Sequence, residues 1–191
     1  MEVIDNFLSS YHFRQIQDEV LSDVFPWFFN DLIVHPYEDS YDPKAYQFIH
    51  VMFAIERGGI TSSYYPLCDV IQQKLGVKRL DRIKLNLNTR TVFNRKTGYH
   101  SDQHSPNDDY PLHQKTAVFY LNTNNGWTEF KKGGKVKSVA NRIVIFDSNL
   151  EHTGVTCTDE KRRAIVNFNY DICFIFVMIF LVTHILLEVL Q

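Results

Sequence analysis

Two histidines and an aspartate in this chain have the residue types and spacing to hold a metal ion. They are His100 and Asp102 in Gly98-Tyr99-His100-Ser101-Asp102, and His152 in Glu151-His152-Thr153-Gly154; the basic pair Arg162-Arg163 begins ten positions after the second imidazole. Two imidazoles and one carboxylate bind one face of a divalent iron and leave its other positions open to exogenous ligands. In an extended segment, residues two apart leave the same face, so His100 and Asp102 can converge on one ion. Alone, a His-x-Asp in a chain with eight histidines is close to a chance occurrence. The ordinary alternative is a solvated loop histidine beside a turn aspartate.

The elements that would position these groups change that weighing. After residue 80 the helical period disappears, and short β-branched and aromatic runs recur at 82–87, 91–93, 117–121, 127–130, 136–139, 142–146 and 164–170. Turn signals separate them: Lys96-Thr97-Gly98, Asn124-Asn125-Gly126, Lys132-Gly133-Gly134 and Asp147-Ser148-Asn149. This rhythm predicts a β-sandwich or barrel, with Asn125-Gly126 as a hairpin corner. His152 follows the 142–146 run across a short turn, which delivers it to the mouth of the same barrel. Arg162 is in register with Ala164, Val166 and Phe168, an apolar face expected to point into the barrel, whereas Arg163 shares its face with Ile165, Asn167 and Asn169. A buried arginine needs an anion, and its planar fork suits a carboxylate. The Tyr120 hydroxyl is placed to reach the same carboxylate.

The first 80 residues mix helix and strand. Ser9 or Ser10 caps a helix carrying Phe13, Ile16, Val20 and Leu21; strands are predicted at 27–29 and 46–55; Thr61 or Ser62 opens a second helix that Gly76 closes. The expected organisation is a scaffold over 1–80, a β core over 81–170 and a tail over 171–191. In that tail, 172–190 is almost wholly apolar and long enough to cross a hydrocarbon layer of ~30 Å. A membrane anchor there would leave the folded part on the cytoplasmic side; a helix packed on the domain or on a partner is the other reading.

Composition excludes several classes. A formal charge of −2 leaves no electrostatic footprint for nucleic acid. Cys68, Cys157 and Cys173 are odd in number and form no CxxC pair, which argues against a disulfide framework or a zinc ribbon and for a reducing compartment. His100 and His104 are four apart, but Gly98 before them and Ser105-Pro106-Asn107 after them oppose the helix that a zinc pair would need. His104 and His113 border a polar loop that could cover the barrel mouth.

At these residues the chain resembles the iron(II)- and 2-oxoglutarate-dependent dioxygenases, in the branch of the prolyl 4-hydroxylases. The resemblance runs from about Asp81 to Asp171 and, more loosely, over Val3-Ile4-Asp5-Asn6-Phe7-Leu8. It is carried by Gly98-Tyr99-His100-Ser101-Asp102, Tyr120-Leu121-Asn122, Gly126-Trp127-Thr128, Asn141-Arg142-Ile143-Val144-Ile145-Phe146, His152-Thr153-Gly154 and Arg162. It implies a mainly β fold with flanking helices, a double-stranded β-helix (jelly roll) with an α+β N-terminal part. His100, Asp102 and His152 would be the iron ligands. Arg162, with Arg163 as the alternative, would pair with the far carboxylate of 2-oxoglutarate, and Tyr120 would assist. The implied cofactors are Fe(II), 2-oxoglutarate and O2, with ascorbate as reductant. The implied reaction is decarboxylation of 2-oxoglutarate to succinate coupled to C–H hydroxylation of a substrate such as a prolyl peptide or a small molecule. Since both histidines must be neutral to bind, metal loading is expected to weaken as pH falls toward ~6.5. Asn88 stands where related sequences often carry a tyrosine, and the apolar tail is foreign to the family. The rival reading is a jelly-roll module that binds a metal or an oxo acid without turnover.

Overall fold

In the computed structural model, which describes residues 1–33, 44–102 and 114–172, the alternating runs form two antiparallel sheets. In chain order the elements are β1 (Glu2–Ile4), α1 (Ser10–Val20), β2 (Phe28–Asn30), β3 (Gln47–Ala54), β4 (Gly59–Ile60), α2 (Asp69–Leu75) and β5 (Arg79–Thr89). Then follow β6 (Gln114–Tyr120), β7 (Trp127–Phe130), β8 (Lys135–Lys137), β9 (Ile143–Asp147), β10 (His152–Val155) and β11 (Arg162–Asp171). The large sheet runs β1-β9-β6-β11-β5-β3-β2, with β4 paired to β3; the small one runs β10-β7-β8. Two isolated bridges, Lys96 with Val155 and His100 with His152, lay the segment before Asp102 along β10. Four strands of the large sheet (β9, β6, β11, β5) thus face this segment and the small sheet, which is the double-stranded β-helix expected.

Two cores sort the side chains of the central strands. On the outer face of the large sheet, Ala164, Val166 and Phe168 of β11 and Ile83 and Leu85 of β5 join Phe13, Ile16 and Val20 of α1 and Ile71 of α2. Each large apolar side chain withdrawn from water here contributes about 1.5–3 kcal/mol relative to exposure. Between the sheets, a smaller cluster of Val118, Tyr120, Phe130, Val136, Val144, Phe146 and Ile165 closes one end of the roll. The polar residues that alternate with the outer core therefore face the interior of the roll.

Local details follow the sequence in part. Ser9 caps α1, its hydroxyl accepting from the His12 amide at 3.3 Å, and Gly76 ends α2 in the left-handed region at φ 66°. The second helix begins later than expected, as a 3-10 turn at Tyr65–Cys68 followed by α2. Pro66 has no amide to donate to the Ser62 carbonyl, as a helix begun there would require, and the Ser62 hydroxyl instead accepts from the Tyr64 amide and meets His50 Nε2 at 2.7 Å. No strand forms at 91–93, where Val92 and Phe93 lie in solvent. Asn125-Gly126 is not a hairpin corner either, because it joins β6 of one sheet to β7 of the other. Among the described residues no helix is long and apolar enough to cross a membrane. The apolar tail from Cys173, together with His104 and His113, lies outside the described residues.

Candidate metal centre and its cavity

Backbone pairing brings the two imidazoles together. His100 and His152 exchange amide-to-carbonyl bonds at 3.0 and 2.9 Å, and the Asp102 amide is fixed on the Ser148 carbonyl at 2.9 Å. Gly98, at φ 105°, turns the chain into this segment with a conformation that L side chains rarely adopt. One ligand atom from each of His100, Asp102 and His152 lies within 4.8 Å of the others. The two imidazole Nε2 atoms sit 3.9 and 3.7 Å from the Asp102 carboxylate oxygens.

The protonation states suit a cation. His100 Nδ1 contacts the Gly98 carbonyl at 3.2 Å and His152 Nδ1 the Leu150 carbonyl at 2.9 Å. A carbonyl can only accept, so each Nδ1 carries the proton and each Nε2 lone pair points to the shared centre. Asp102, 2% exposed, is held by Arg82 Nη2 at 3.2 Å, by the Thr116 hydroxyl at 3.1 Å and by the Asn167 amide at 3.3 Å. Burial opposes its charge, but His152, His100 and Arg82 more than offset this and hold the carboxyl well below its usual range. Burial pushes His100 down to about 4.

For this ligand the expected limit moves down: His100 stays neutral and available well below ~6.5. It also has a sign for stability. Between about 4 and ~6.5 the unfolded chain takes up a proton at this position that the folded chain refuses, so the metal-free protein loses stability as pH falls through that window. Denaturant titrations of metal-free protein should show this slope, and it should flatten in His100→Gln. An unchanged slope in the variant would refute the assignment.

The arginine pair is placed opposite to the register argument. Ala164, Val166 and Phe168 do share a face with Arg162, but that face packs beneath the helices, and Arg162 Nη2 goes out to the Leu21 carbonyl at 2.5 Å. Arg163, the alternative, enters the roll: it is 2% exposed and lines the same cavity as His100 and His152. The register expectation failed because the interior of this roll is polar along its cavity, so the apolar stripe of β11 belongs to the outer core. Arg163 Nε donates to the Ser138 hydroxyl at 2.9 Å and Nη2 to the Thr128 hydroxyl at 3.1 Å. Among the described residues no carboxylate pairs with it. Burial pulls the guanidinium below its ordinary value, although an arginine keeps its charge in a protein.

Tyr120 lies behind this arginine and not in the cavity wall. Its hydroxyl donates to Thr128 at 2.8 Å, and the Arg163 guanidinium carbon lies 5.6 Å from its ring centre. Tyr120 therefore orients Thr128 and Arg163 where a direct contact was expected.

Sequence reasoning missed the β5 side of the cavity. Lys84, Asn86 and Asn88 alternate with Ile83, Leu85 and Leu87 and line the cavity with Arg163 and Asn167. A period-2 polar face on a strand buried on its other side was the available signal. Asn88 Nδ2, Asn86 Oδ1 and Asn167 Oδ1 are buried without hydrogen-bond partners among the described residues. Buried orphan atoms of this kind are costly, by about 1–3 kcal/mol each, unless water or a ligand answers them.

Gly126 belongs to the same device. A Cβ there would stand 2.6 Å from the Val155 carbonyl oxygen and 2.8 Å from Arg163 Cδ. Gly126→Ala should therefore cost about 1–3 kcal/mol of stability by overpacking, read by denaturant unfolding. A variant as stable as the parent would show that the loop yields freely.

No protein-family model matches the chain, and no curated protein matches it. Solved structures do. A viral collagen prolyl hydroxylase from Paramecium Bursaria Chlorella virus-1, in a 2OG complex, superposes with a TM-score of 0.56 at 15% identity over 90% of this chain and 96% of its own. A prolyl hydroxylase from Trichoplax adhaerens, in complex with a hypoxia inducible factor peptide fragment, gives 0.54 at 19% identity over 89% and 83%. The alpha ketoglutarate dependent epimerase SnoN from nogalamycin biosynthesis gives 0.54 at 11% identity over 88% and 76%. At such identities the shared property is the fold, and the epimerase shows that this fold serves more than one reaction. The chain has the jelly-roll fold of the 2-oxoglutarate and iron(II) oxygenases, the prolyl hydroxylases among them, with a His100-Asp102-His152 triad whose imidazoles line its cavity.

Proposed function

We propose that this protein is an iron(II)- and 2-oxoglutarate-dependent oxygenase that converts 2-oxoglutarate to succinate and hydroxylates a C–H bond of a second substrate. The observation that carries this reading is Arg163, a buried guanidinium with no carboxylate partner among the described residues, in the same cavity as the two imidazoles. A metal site alone has no use for that charge, and a dicarboxylate does. The donor set fits a first-row divalent ion: two Nε2 lone pairs with their tautomers fixed, and one carboxylate kept ionised.

His100, Asp102 and His152 would hold the iron, which when bound supplies the activation of dioxygen by the 2-oxo acid. Arg163 would take the far carboxylate of 2-oxoglutarate, in register with Asn88 on β5, whose orphaned Nδ2 supplies a further donor. Thr128 and Ser138 fix the guanidinium plane, and Tyr120 fixes Thr128. Asn167, Thr116 and Arg82 orient Asp102, which keeps its charge directed at the ion. Prolyl peptide is the substrate class that the resemblance alone carries.

Purified protein with ferrous iron, ascorbate and 2-oxoglutarate should form succinate, and His152→Ala should not. Metal-dependent binding of 2-oxoglutarate with no succinate, whatever substrate is added, would favour the binding module. Absence of that binding would remove both readings.

A further inference from the structure

The cavity holds a second cation that the proposed cosubstrate does not use. Lys84 lines it from β5 and has no ion pair or hydrogen bond among the described residues. The ladder between β5 and β11 fixes where it sits. Asn88 is opposite Arg163, whereas Lys84 is opposite Asn167, whose amide holds Asp102. Four residues of strand, ~13 Å at about 3.3 Å per residue, therefore separate the two cations along β5. Arg163 marks the far end of the cavity, and Lys84 lies level with the metal ligands.

Charge balance then points to a further anion. Arg163, Lys84, Arg82 and a divalent ion surround the single carboxylate of Asp102, and a bound dicarboxylate still leaves the group net positive. Burial pulls the Lys84 ammonium down to about 8 and the Asp102 carboxylate opposes that fall, so its charge depends on the anions placed around it. An ammonium in such a wall without a partner is costly unless a ligand supplies one. The carboxamide oxygens of Asn86 and Asn167 also lack donors among the described residues, a need that a carboxylate, which only accepts, leaves to other groups of a ligand.

Resting on the oxygenase reading above, we propose that Lys84 is a specificity residue that holds a carboxylate of the second substrate beside the metal, so that the substrate is a small carboxylic acid. A neutral prolyl amide within a peptide would leave this charge unanswered.

The test is equilibrium binding without turnover. Protein loaded with Mn(II) and saturated with 2-oxoglutarate, in the absence of oxygen, is titrated by calorimetry with butyrate and with its neutral analogue butyramide. Butyrate should bind saturably to the parent and to Lys84→Arg, should weaken about tenfold or more in Lys84→Met, and should bind better than butyramide. The affinity of Lys84→Met for 2-oxoglutarate should stay within about threefold of the parent, since Arg163 carries that contact. Tenfold weaker 2-oxoglutarate binding in Lys84→Met would overturn the proposal, because Lys84 would then serve the cosubstrate. Equal butyrate binding in Lys84→Met, equal affinity for butyramide, or no saturable butyrate binding by the parent would also overturn it. Should the parent fail to bind 2-oxoglutarate at all, the oxygenase reading is what falls, and the same butyrate titration of metal-free protein still decides the role of Lys84.

Discussion

Arg163→Leu should weaken binding of 2-oxoglutarate about 100-fold while changing iron affinity by less than about threefold. The magnitude follows from the environment: a charge-assisted contact is worth about 1.5–3 kcal/mol, and truncating one partner of a buried charged pair costs about 2–5 kcal/mol. Arg163 is buried and pre-aimed by Ser138 and Thr128, so the bond needs little reorganisation. Its removal also takes a charge out of the interior and leaves only two hydroxyls to find other partners, so the fold should persist; circular dichroism and the unfolding midpoint check this. Arg162→Leu is the control. Its guanidinium faces the Leu21 carbonyl at the outer surface of the sheet, so 2-oxoglutarate affinity should remain within about threefold. Loss of cosubstrate binding in Arg162→Leu, with Arg163→Leu unaffected, would reverse the assignment.

A second large effect is expected at Asp102. Asp102→Ala should lower metal affinity by more than about 100-fold, because losing an outer partner of a ligand already costs about 10–100-fold. Asn167→Ala supplies that smaller comparison: it removes one donor to the carboxylate and should cost about tenfold. Both are measured by competition against a chelator of known affinity. Asp102→Asn keeps an oxygen for the Arg82, Thr116 and Asn167 donors, which separates loss of the metal from loss of the fold. Full metal occupancy in Asp102→Ala would mean that the ion is held elsewhere.

Much of the fold was legible because its signals are local. Ser9 and Gly76 terminate helices through their own side-chain and backbone chemistry, and β5, β6, β7, β9 and β11 appear as runs of the right period. The second helix was misplaced at its start, where Pro66 and the Ser62 contacts with Tyr64 and His50 intervene. The Asn125-Gly126 turn was misread because a turn residue reports its own conformation and not which strands it joins. Here it passes between sheets, and Asp159 receives the Asn125 amide at 3.0 Å.

The triad was readable for a similar reason. In an extended segment the two-residue period alone sends His100 and Asp102 to one side, and His152 follows a recognisable strand and turn. Of the β5 wall only Asn88 drew notice, through the resemblance, because Lys84 and Asn86 are unremarkable as single residues. They become a wall only when β5 lies beside β11.

By itself the sequence determined the residue types available for chemistry, the alternation of the strands and the existence of a two-histidine, one-carboxylate set. Alternation sorts side chains into two faces without saying which face is inside. Only the tertiary structure decided that the apolar face of β11 lies under α1 and α2, and that Arg163, and not Arg162, reaches the cavity. The physical reason is that a strand between two packed layers has two interiors. The helices here take the apolar one, and the polar one lines the cavity.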